Sequence, residues 1–581
     1  MAGKEAPNLY VIALSQQKLG FAFVLIFSAL ISILMLTGSI YMLQVYDRVL
    51  SSGSIATLIG LFGIVVVLYL FLGLFDLLRQ RMLSRIGTRL EFDVGRAGFL
   101  AQLQQSHGPN NVTTEPLKQL MGISQFLSSP TAASLFDLPF VPIFLIVLFA
   151  VHPLLGLSVA GGAMIAGTLA LMAGMITRRR LEKRNHDAAQ QTEFSSEAVR
   201  NSETVLAMGM QFSLANHWQL MHLASLKENQ RFSSGTEIIA SSSKTFRVLL
   251  QSSILTVGAV LVLNDQISPG MIIASSVLSG RVLAPIDQTI GQWRLVAQTI
   301  FAHKILLNSF SNVKDTTENL DLPRPAGRVT VTSLTKFATN NRSSRQELLL
   351  QSVSFNLEPG DALGVIGKSA AGKSVLARLL VGAWAPDRGE VQIDGAAFDK
   401  WPAGSVGRYI GYLPQSVTLL PGTIGQNIAR FDSSATDADI IKAAMLARVH
   451  NLILRLPDGY ATTVGGSSGT QLSGGQIQRI ALARAVMFQP SVVVLDEPNA
   501  HLDGAGENAL GEAIKELRAA GSTVIVMAHR PSAIAAVNKI MVLDQGRMTK
   551  FGEKEQILRP PDQPQRSPSQ HIASNTQPMR S

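Results

Sequence analysis

The sequence predicts a chain in two parts: an all-α domain of six membrane-spanning helices, then an α/β domain built on a phosphate-binding loop. Three observations predict it. Residues 19–46, 49–75 and 138–177 contain no Asp, Glu, Lys or Arg. The C-terminal half has the mixed charge of an ordinary soluble α/β protein. Within that half, an apolar run leads into Gly367, Gly372, Lys373 and Ser374, which match the P-loop spacing G-x-x-x-x-G-K-[ST].

At 581 residues the chain exceeds what one hydrophobic core supports, so at least two domains are expected. Hydrophobic residues make up 47% and charged residues 15%, the latter well below the roughly 25% of an ordinary soluble protein. The formal net charge of +10 raises nucleic acid as a partner. Membrane proteins concentrate Lys and Arg in their cytoplasmic loops, which accounts for the excess, and no nucleic-acid partner is expected. The absence of cysteine excludes disulfides, thiolate chemistry and Cys-based metal sites. Lys4 and Lys18 precede an apolar stretch about twice as long as a signal-peptide core. It reads as a retained first span.

A bilayer core of about 30 Å takes about 20 apolar residues in a helix. The first span fits Leu19 to Leu43 and the second Thr57 to Leu78. The uncharged run 138–177 is too long for one span and carries His152-Pro153 near its middle, which favours a turn. Spans at 135–151 and 154–177 resolve it. Two weaker spans follow at 246–263 and 270–290, joined through the turn residues Asn264, Asp265, Pro269 and Gly270. Arg79, Arg81, Arg85 and Arg89 follow the second span, and Arg178, Arg179, Arg180, Lys183 and Arg184 follow the fourth. The positive-inside rule then places both termini in the cytoplasm. The expected layout is a cytoplasmic N-terminus (1–18), a six-span domain with long cytoplasmic helical extensions (19–310), a linker (311–327), a nucleotide-binding domain (328–552) and a disordered Pro/Gln/Ser-rich tail (553–581). Asp137, Arg281 and Asp287 lie near membrane depth, where charge is costly. A transport pathway, structural pairing and an interfacial position all remain open for them.

In the second half, the loop Gly367, Lys368, Ser369, Ala370, Ala371, Gly372, Lys373, Ser374 and Val375 is expected to hold phosphates on backbone amides at a helix N-terminus. Lys373 is expected to reach the β- and γ-phosphates, and Ser374 to bind Mg²⁺. Val492–Pro498 reads as a buried apolar strand ending in two acids. Asp496 is placed to hold the Mg²⁺ shell and Glu497 to polarise an attacking water. Upstream, Leu472-Ser-Gly-Gly-Gln476 precedes a helical segment, so Ser473, Gly474, Gly475 and Gln476 would present a second phosphate-binding surface.

With these motifs in order, residues 328–552 resemble the ATP-binding-cassette (ABC) transporters. Gln415 in Tyr412-Leu-Pro-Gln matches the Q-loop, His529 in Ala528-His-Arg the switch histidine, and Ala500-His-Leu-Asp503 the D-loop. The resemblance implies the fold of a type I ABC exporter, ATP and Mg²⁺ as ligands, and a head-to-tail dimer. ATP would lie between Gly367–Ser374 of one copy and Ser473–Gln476 of the other. Glu497, His529, Lys373 and Gln415 would be catalytic, with Ser374, Gln415 and Asp496 on the metal and Asp503 communicating across the dimer. The family usually stacks an aromatic on adenine; Phe337 is the best-placed candidate, and a core role fits it equally. The loop Gly465–Gly469 departs from the pattern, because many exporters carry an acid there.

Tyr41–Leu50, Phe136–Ile143, His152–Gly156 and Ala207–Met210 look like the type I secretion ABC transporters of Gram-negative bacteria, particularly the PrtD-like protease-secretion branch. With so few residues ahead of the first span, the N-terminal peptidase or peptidase-like domain of other protein and bacteriocin exporters is expected to be absent, as in the PrtD-like branch. The resemblance implies an inner-membrane homodimer that exports unfolded polypeptides with C-terminal signals, such as RTX-type proteases. Its partners would be a periplasmic membrane-fusion adaptor and an outer-membrane TolC-like channel. The rival readings are a half-size flippase of lipid or small amphipathic molecules, which shares every motor motif, and a non-transporting ABC protein acting on nucleic acid. Six spans fused to one motor oppose the latter.

Overall fold

A computed structural model of the chain describes residues 8–105, 115–311, 323–338, 347–401, 405–466, 469–500, 502, 504–528 and 534–558. These fall into two compact units, one up to residue 311 and the other from residue 323.

Among its described residues the first unit's regular structure is helical, and six segments are long and apolar enough to cross a membrane: Lys18–Ser52, Ile55–Leu103, Pro130–Val151, Pro153–Met172, Glu237–Leu263 and Pro269–Gly291. Three of the helices far outrun a bilayer. Ile55–Gln105 has 51 residues, Pro153–Arg200 has 48 and Gln211–Leu263 has 53, or about 75 Å each against a core of about 30 Å. Pro130, Pro153 and Pro269 stand at the first helical turn of their helices, where the missing N–H costs nothing and φ is already helical. Ser129, His152 and Ser268 supply the caps. His152 Nδ1 accepts from Leu154 N at 3.2 Å, so His152-Pro153 both ends one span and starts the next. At the other end of the first span the helix loosens into a π-turn, Val45–Val49. Its Asp47 accepts from Gly270 N at 2.8 Å and from the Ser268 hydroxyl, placing a carboxylate on the positive end of the last span. Gly270 must lack a side chain, because a Cβ there would lie 2.5 Å from Asp47 Oδ1.

Two of the membrane-depth charges are paired. Asp287 accepts from Ser243 Oγ at 2.6 Å and lies 3.2 Å from Arg247 Nη1. Asp137 lies 2.5 Å from Arg79 Nη1, and the same guanidinium reaches Asp76 at 2.7 Å and Ser28 Oγ at 3.0 Å. Arg79 is thus buried at 5% exposure rather than standing free as a loop cation. Removing one partner of such a pair strands the other charge, at a cost of about 3–5 kcal/mol. Arg79→Leu is therefore expected to lower the thermal unfolding midpoint sharply. Adding Asp137→Leu should recover part of the loss, and an additive double variant would show that the two do not interact.

Residues 8–17, ahead of the first span, are tied to this unit. Helix Leu9–Gln16 packs on Trp293–Ser311, with Tyr10 hydroxyl 2.8 Å from His303 Nδ1 and Asn8 Nδ2 donating to Leu307 O at 2.8 Å.

Among the described residues the second unit has twelve strands: β1 (Val329–Phe337), β2 (Leu348–Leu357), β3 (Ala362–Ile366), β4 (Arg388–Ile393), β5 (Ala396–Ala397), β6 (Ile410–Leu413), β7 (Gly422–Thr423), β8 (Thr463–Val464), β9 (Val492–Asp496), β10 (Thr523–Ala528), β11 (Lys539–Asp544) and β12 (Arg547–Glu553). One antiparallel sheet has the order β2-β1-β4-β5; the main sheet runs β12-β11-β3-β10-β9-β6, parallel except at β12. Its central strands are buried on both faces, which is why they read as unbroken apolar runs. Successive residues alternate sides. Val493, Leu495, Val524 and Val526 pack towards helices Gly474–Val486 and Gly504–Ala519. Val492, Val494, Ile525 and Met527 pack towards the antiparallel sheet and helix Lys373–Leu380.

Two expected boundaries move here. The last residues of the expected linker are tied to this unit: Ala326 and Gly327 amides donate to Asp394 at 2.5 and 3.4 Å, and Ser491 Oγ donates to Pro325 O at 2.6 Å. At the other end, Glu553 closes β12 and Lys554–Leu558 is helical, with Lys554 Nζ donating to Ile534 O at 2.8 Å. The described structure therefore continues six residues, 553–558, into the expected tail. Residues 559–581 lie outside the described residues.

Candidate functional site

Parallel strands β3, β10, β9 and β6 end side by side, and the loops leaving their C-terminal ends form the site, as in open α/β sheets generally. Beyond β3 the chain curls from Gly367 through Lys368, Ser369, Ala370 and Ala371 to Gly372, where helix Lys373–Leu380 begins. Ala370 and Gly372 have φ of 63° and 99°. These left-handed turns gather amides around one concavity. Gly367 is sterically obligatory, because a Cβ would come 2.2 Å from the Leu543 carbonyl oxygen. Lys368, Ser369 and Ala370 are exposed, Ala371 and Lys373 are buried, and Val375 packs on the core below. Lys373 Nζ donates to the carbonyls of Gly367 at 2.8 Å and Lys368 at 3.0 Å. Its ammonium is thereby held inside the loop.

Asp496 is the last residue of β9 and is 2% exposed. It accepts a hydrogen bond from the Ser374 side chain, while its Oδ1 has no hydrogen-bond partner. Burial raises its carboxyl pKa above the ordinary aspartate value; the Ser374 bond opposes that rise. A buried, half-satisfied carboxylate beside a hydroxyl is an all-oxygen donor set suited to a hard divalent cation. The residues present therefore fit Mg²⁺.

Glu497 sits at φ 51°, a left-handed conformation rare outside glycine, with its amide donating to Met527 O at 3.0 Å. Such geometry costs about 1–3 kcal/mol and persists where neighbours impose it. It turns the carboxylate towards β6. Leu413 pairs with Leu495 across β6 and β9, so Gln415 and Glu497 each leave the sheet at the same level. Gln415 Nε2 donates to Glu497 Oε2 at 3.1 Å.

The segment Ser473, Gly474, Gly475 and Gln476 forms the first turn of helix Gly474–Val486. Ser473 and Gln476 close a capping box, Ser473 N to Gln476 Oε1 at 2.8 Å and Gln476 N to Ser473 Oγ at 3.3 Å. In this cap Ser473 Oγ accepts, so its O–H can still donate to a phosphate beside the amides of Gly474 and Gly475. Motif reasoning missed Gln478. It is 4% exposed, and its Nε2 donates to Pro498 O at 2.5 Å, tying this helix to the turn that carries Glu497. Its only sequence signal is a polar residue on an otherwise apolar helix face.

Phe337, half-buried at the end of β1, pairs with Leu348, next to Leu349, whose carbonyl would lie 3.0 Å from a Cβ at Gly372. His529 and Asp503 lie outside the described residues, as do His501 and residues 467–468 of the Gly465–Gly469 loop.

Comparison with known proteins follows this division. The family model for the ABC transporter transmembrane region matches residues 21–286, and that for the ABC transporter matches residues 350–500. The type I secretion system ATP-binding protein PrsD of Rhizobium meliloti (strain 1021) is 43% identical over 538 residues, 91% of this chain and 91% of its own length. The chain belongs to the ABC transporters of type I secretion systems. This ABC transporter is also 28% identical to the cyclolysin secretion/processing ATP-binding protein CyaB of Bordetella pertussis (strain Tohama I), over 92% of this chain and 75% of the relative. The toxin RTX-I translocation ATP-binding protein of Actinobacillus pleuropneumoniae is likewise 28% identical, over 93% and 76%. A bacterial Atm1-family ABC exporter solved with ATP bound superposes with a TM-score of 0.79 at 23% identity, covering 93% of this chain and 96% of the other. That likeness gives the exporter fold. The transporter is an ATP-binding, multi-pass membrane ATPase.

Proposed function

We propose that this transporter exports unfolded polypeptides carrying C-terminal secretion signals, RTX-type proteins such as proteases, across the bacterial inner membrane at the expense of ATP. The observation that supports this most strongly is similarity to a type I secretion protein over 91% of both chains. A periplasmic adaptor and an outer-membrane channel complete the route. Both termini and the ATPase unit face the cytoplasm, on the side of the cationic residues Arg81, Arg85 and Arg89.

In this reading the amides of Gly367–Ser374 and the Lys373 ammonium cradle the ATP phosphates. Ser374, Asp496 Oδ1 and the amide oxygen of Gln415 would hold Mg²⁺, which neutralises phosphate charge when bound. Glu497, steered by Gln415, accepts hydrogen-bond character from the attacking water. His529 contacts the γ-phosphate, Asp503 signals across the dimer, and Phe337 stacks on adenine.

The sheet order supports a homodimer. The P-loop leaves β3, whereas helix Gly474–Val486 packs against β6, three strands away. At about 4.8 Å per strand the two lie about 14 Å apart at sheet level. One chain does not bring both to the same phosphate; two chains head to tail do.

The test is secretion. Cells carrying this full chain, the adaptor, the channel and an RTX-type protein are expected to release that protein into the medium, and to retain it when its C-terminal segment is removed. ATP-dependent movement of fluorescent lipid, with no secretion, would overturn the proposal in favour of a flippase.

A further inference from the structure

The last span, Pro269–Gly291, combines two opposed properties. Its apolar window has a mean hydropathy of only 1.3, the lowest of the six, yet 44% of that window is buried, the highest share. Helices Leu36–Gln44, Val141–Val151, Pro153–Arg200 and Gln211–Leu263 all pack on it. The face they leave bare is polar. Arg281, Gln288 and Gln292 are exposed, and spacings of seven and four residues return them to one side of a helix; at the edge of that face helix Pro130–Asp137 also packs on the span, its Ser134 hydroxyl donating to Gln288 Oε1. Gly280 and Gly291 open onto free space, with nothing within 4 Å of a Cβ placed there.

Arg281 lies about 18 Å along the axis from Pro269, so it sits near the middle of a core about 30 Å thick. Among the described residues it has no ion pair or side-chain hydrogen bond. The nearby acid on the same helix, Asp287, is already engaged by Ser243 and Arg247. A second, independent demand falls at the same point. Pro285 lies inside this helix and has no N–H to donate to the Arg281 carbonyl four residues earlier. An unpaired guanidinium and a carbonyl deprived of its helical donor therefore share one exposed position at membrane depth. Lipid satisfies neither. A second copy meeting this face about a two-fold axis would bring Arg281 towards its own counterpart, like charge against like.

We propose that the Arg281–Gln288–Gln292 face of the last span is the wall of a water-filled conduit, and that Arg281 binds acidic side chains of the polypeptide in transit. The occupant rests on the protein-export reading; the conduit does not. A guanidinium in a low-dielectric surround pairs best with carboxylates, which match its planar fork. Gln288 and Gln292, uncharged, let the chain move on.

The chain has no cysteine, so single-cysteine variants of the full protein in proteoliposomes report directly. Arg281→Cys is expected to react with charged, membrane-impermeant methanethiosulfonates at least about tenfold faster than Leu70→Cys, a 69%-exposed apolar position on the second span. Equal rates would put the face in lipid. Spontaneous disulfide formation between two Arg281→Cys chains, without labelling, would put a second copy there. Either result overturns the conduit.

The second arm measures ATPase modulation by poly-L-glutamate against a neutral poly(hydroxyethylglutamine), both ending in one carboxylate. Arg281→Gln is expected to raise the half-maximal poly-L-glutamate concentration about tenfold and Arg281→Lys to restore most of it, with no change for the neutral polymer. An unchanged poly-L-glutamate response in Arg281→Gln, or none in the unmodified chain, overturns the anion-binding role. Labelling requires no cargo. Absent secretion with fast Arg281→Cys labelling therefore rejects the exported polypeptide and keeps the aqueous wall.

Discussion

Glu497→Gln is expected to cut steady-state ATP hydrolysis by about 10²–10⁴-fold while leaving ATP binding intact, because it removes a general base and little else. The substitution keeps side-chain length and the φ of 51° that aims the group. It also keeps an oxygen for Gln415 Nε2, now 3.1 Å from Glu497 Oε2. Lys373, Ser374 and Asp496 are untouched, so the phosphates are still cradled. What is lost is the negative charge that draws a proton from water. Nucleotide should accordingly accumulate unhydrolysed between two chains. The check is paired: turnover by phosphate release, and retention of radiolabelled ATP after rapid dilution. Near-normal turnover would remove Glu497 from its role.

Lys373→Ala should act differently, lowering both ATP affinity and turnover, the latter by about 10²-fold or more. Lys373 is 7% exposed, and among the described residues its ammonium is bonded to loop carbonyls, Gly367 O and Lys368 O. It is pre-positioned charge with no carboxylate partner in those bonds. The loop keeps its shape without it, since Ala370 and Gly372 set the turn and Gly367 sits against Leu543. Thermal unfolding without nucleotide should therefore stay near that of the unmodified protein, whereas added ATP should no longer stabilise the variant. A variant that still gained stability from ATP would assign phosphate binding elsewhere.

The motor's motifs were legible where their parts are neighbours along the chain: Lys373 curls onto Gly367, and Glu497 follows Asp496 at the end of β9. The Ser374–Asp496 and Gln415–Glu497 bonds join motifs far apart in sequence. Gln478 was not legible, because its bond to Pro498 depends on how helix Gly474–Val486 packs against the end of β9. Ser473 serves two local rules at once: its Oγ accepts in the capping box with Gln476, and its O–H can still donate to a phosphate.

In the membrane half, charge-free runs marked the first four spans plainly. The last span is interrupted by Arg281 and Asp287, so its hydropathy is low for the same reason that its polar face is informative. Arg79 shows the limit of counting cations. Its partner Asp137 stands 58 residues away, a pairing that no window along the chain detects. The tail boundary was drawn too early because Lys and Gln in 554–558 resemble a polar tail. Yet Lys554 is held by the carbonyls of Ile534 and Ala535.

The most direct test of a polypeptide exporter driven by this motor is translocation into proteoliposomes whose ATPase units face outward. An unfolded RTX-type protein with its C-terminal segment, added with ATP, should become protected from external protease in the unmodified chain and remain digestible with Glu497→Gln. Equal protection by the two chains, or none by either alongside vigorous ATP hydrolysis, would contradict the account.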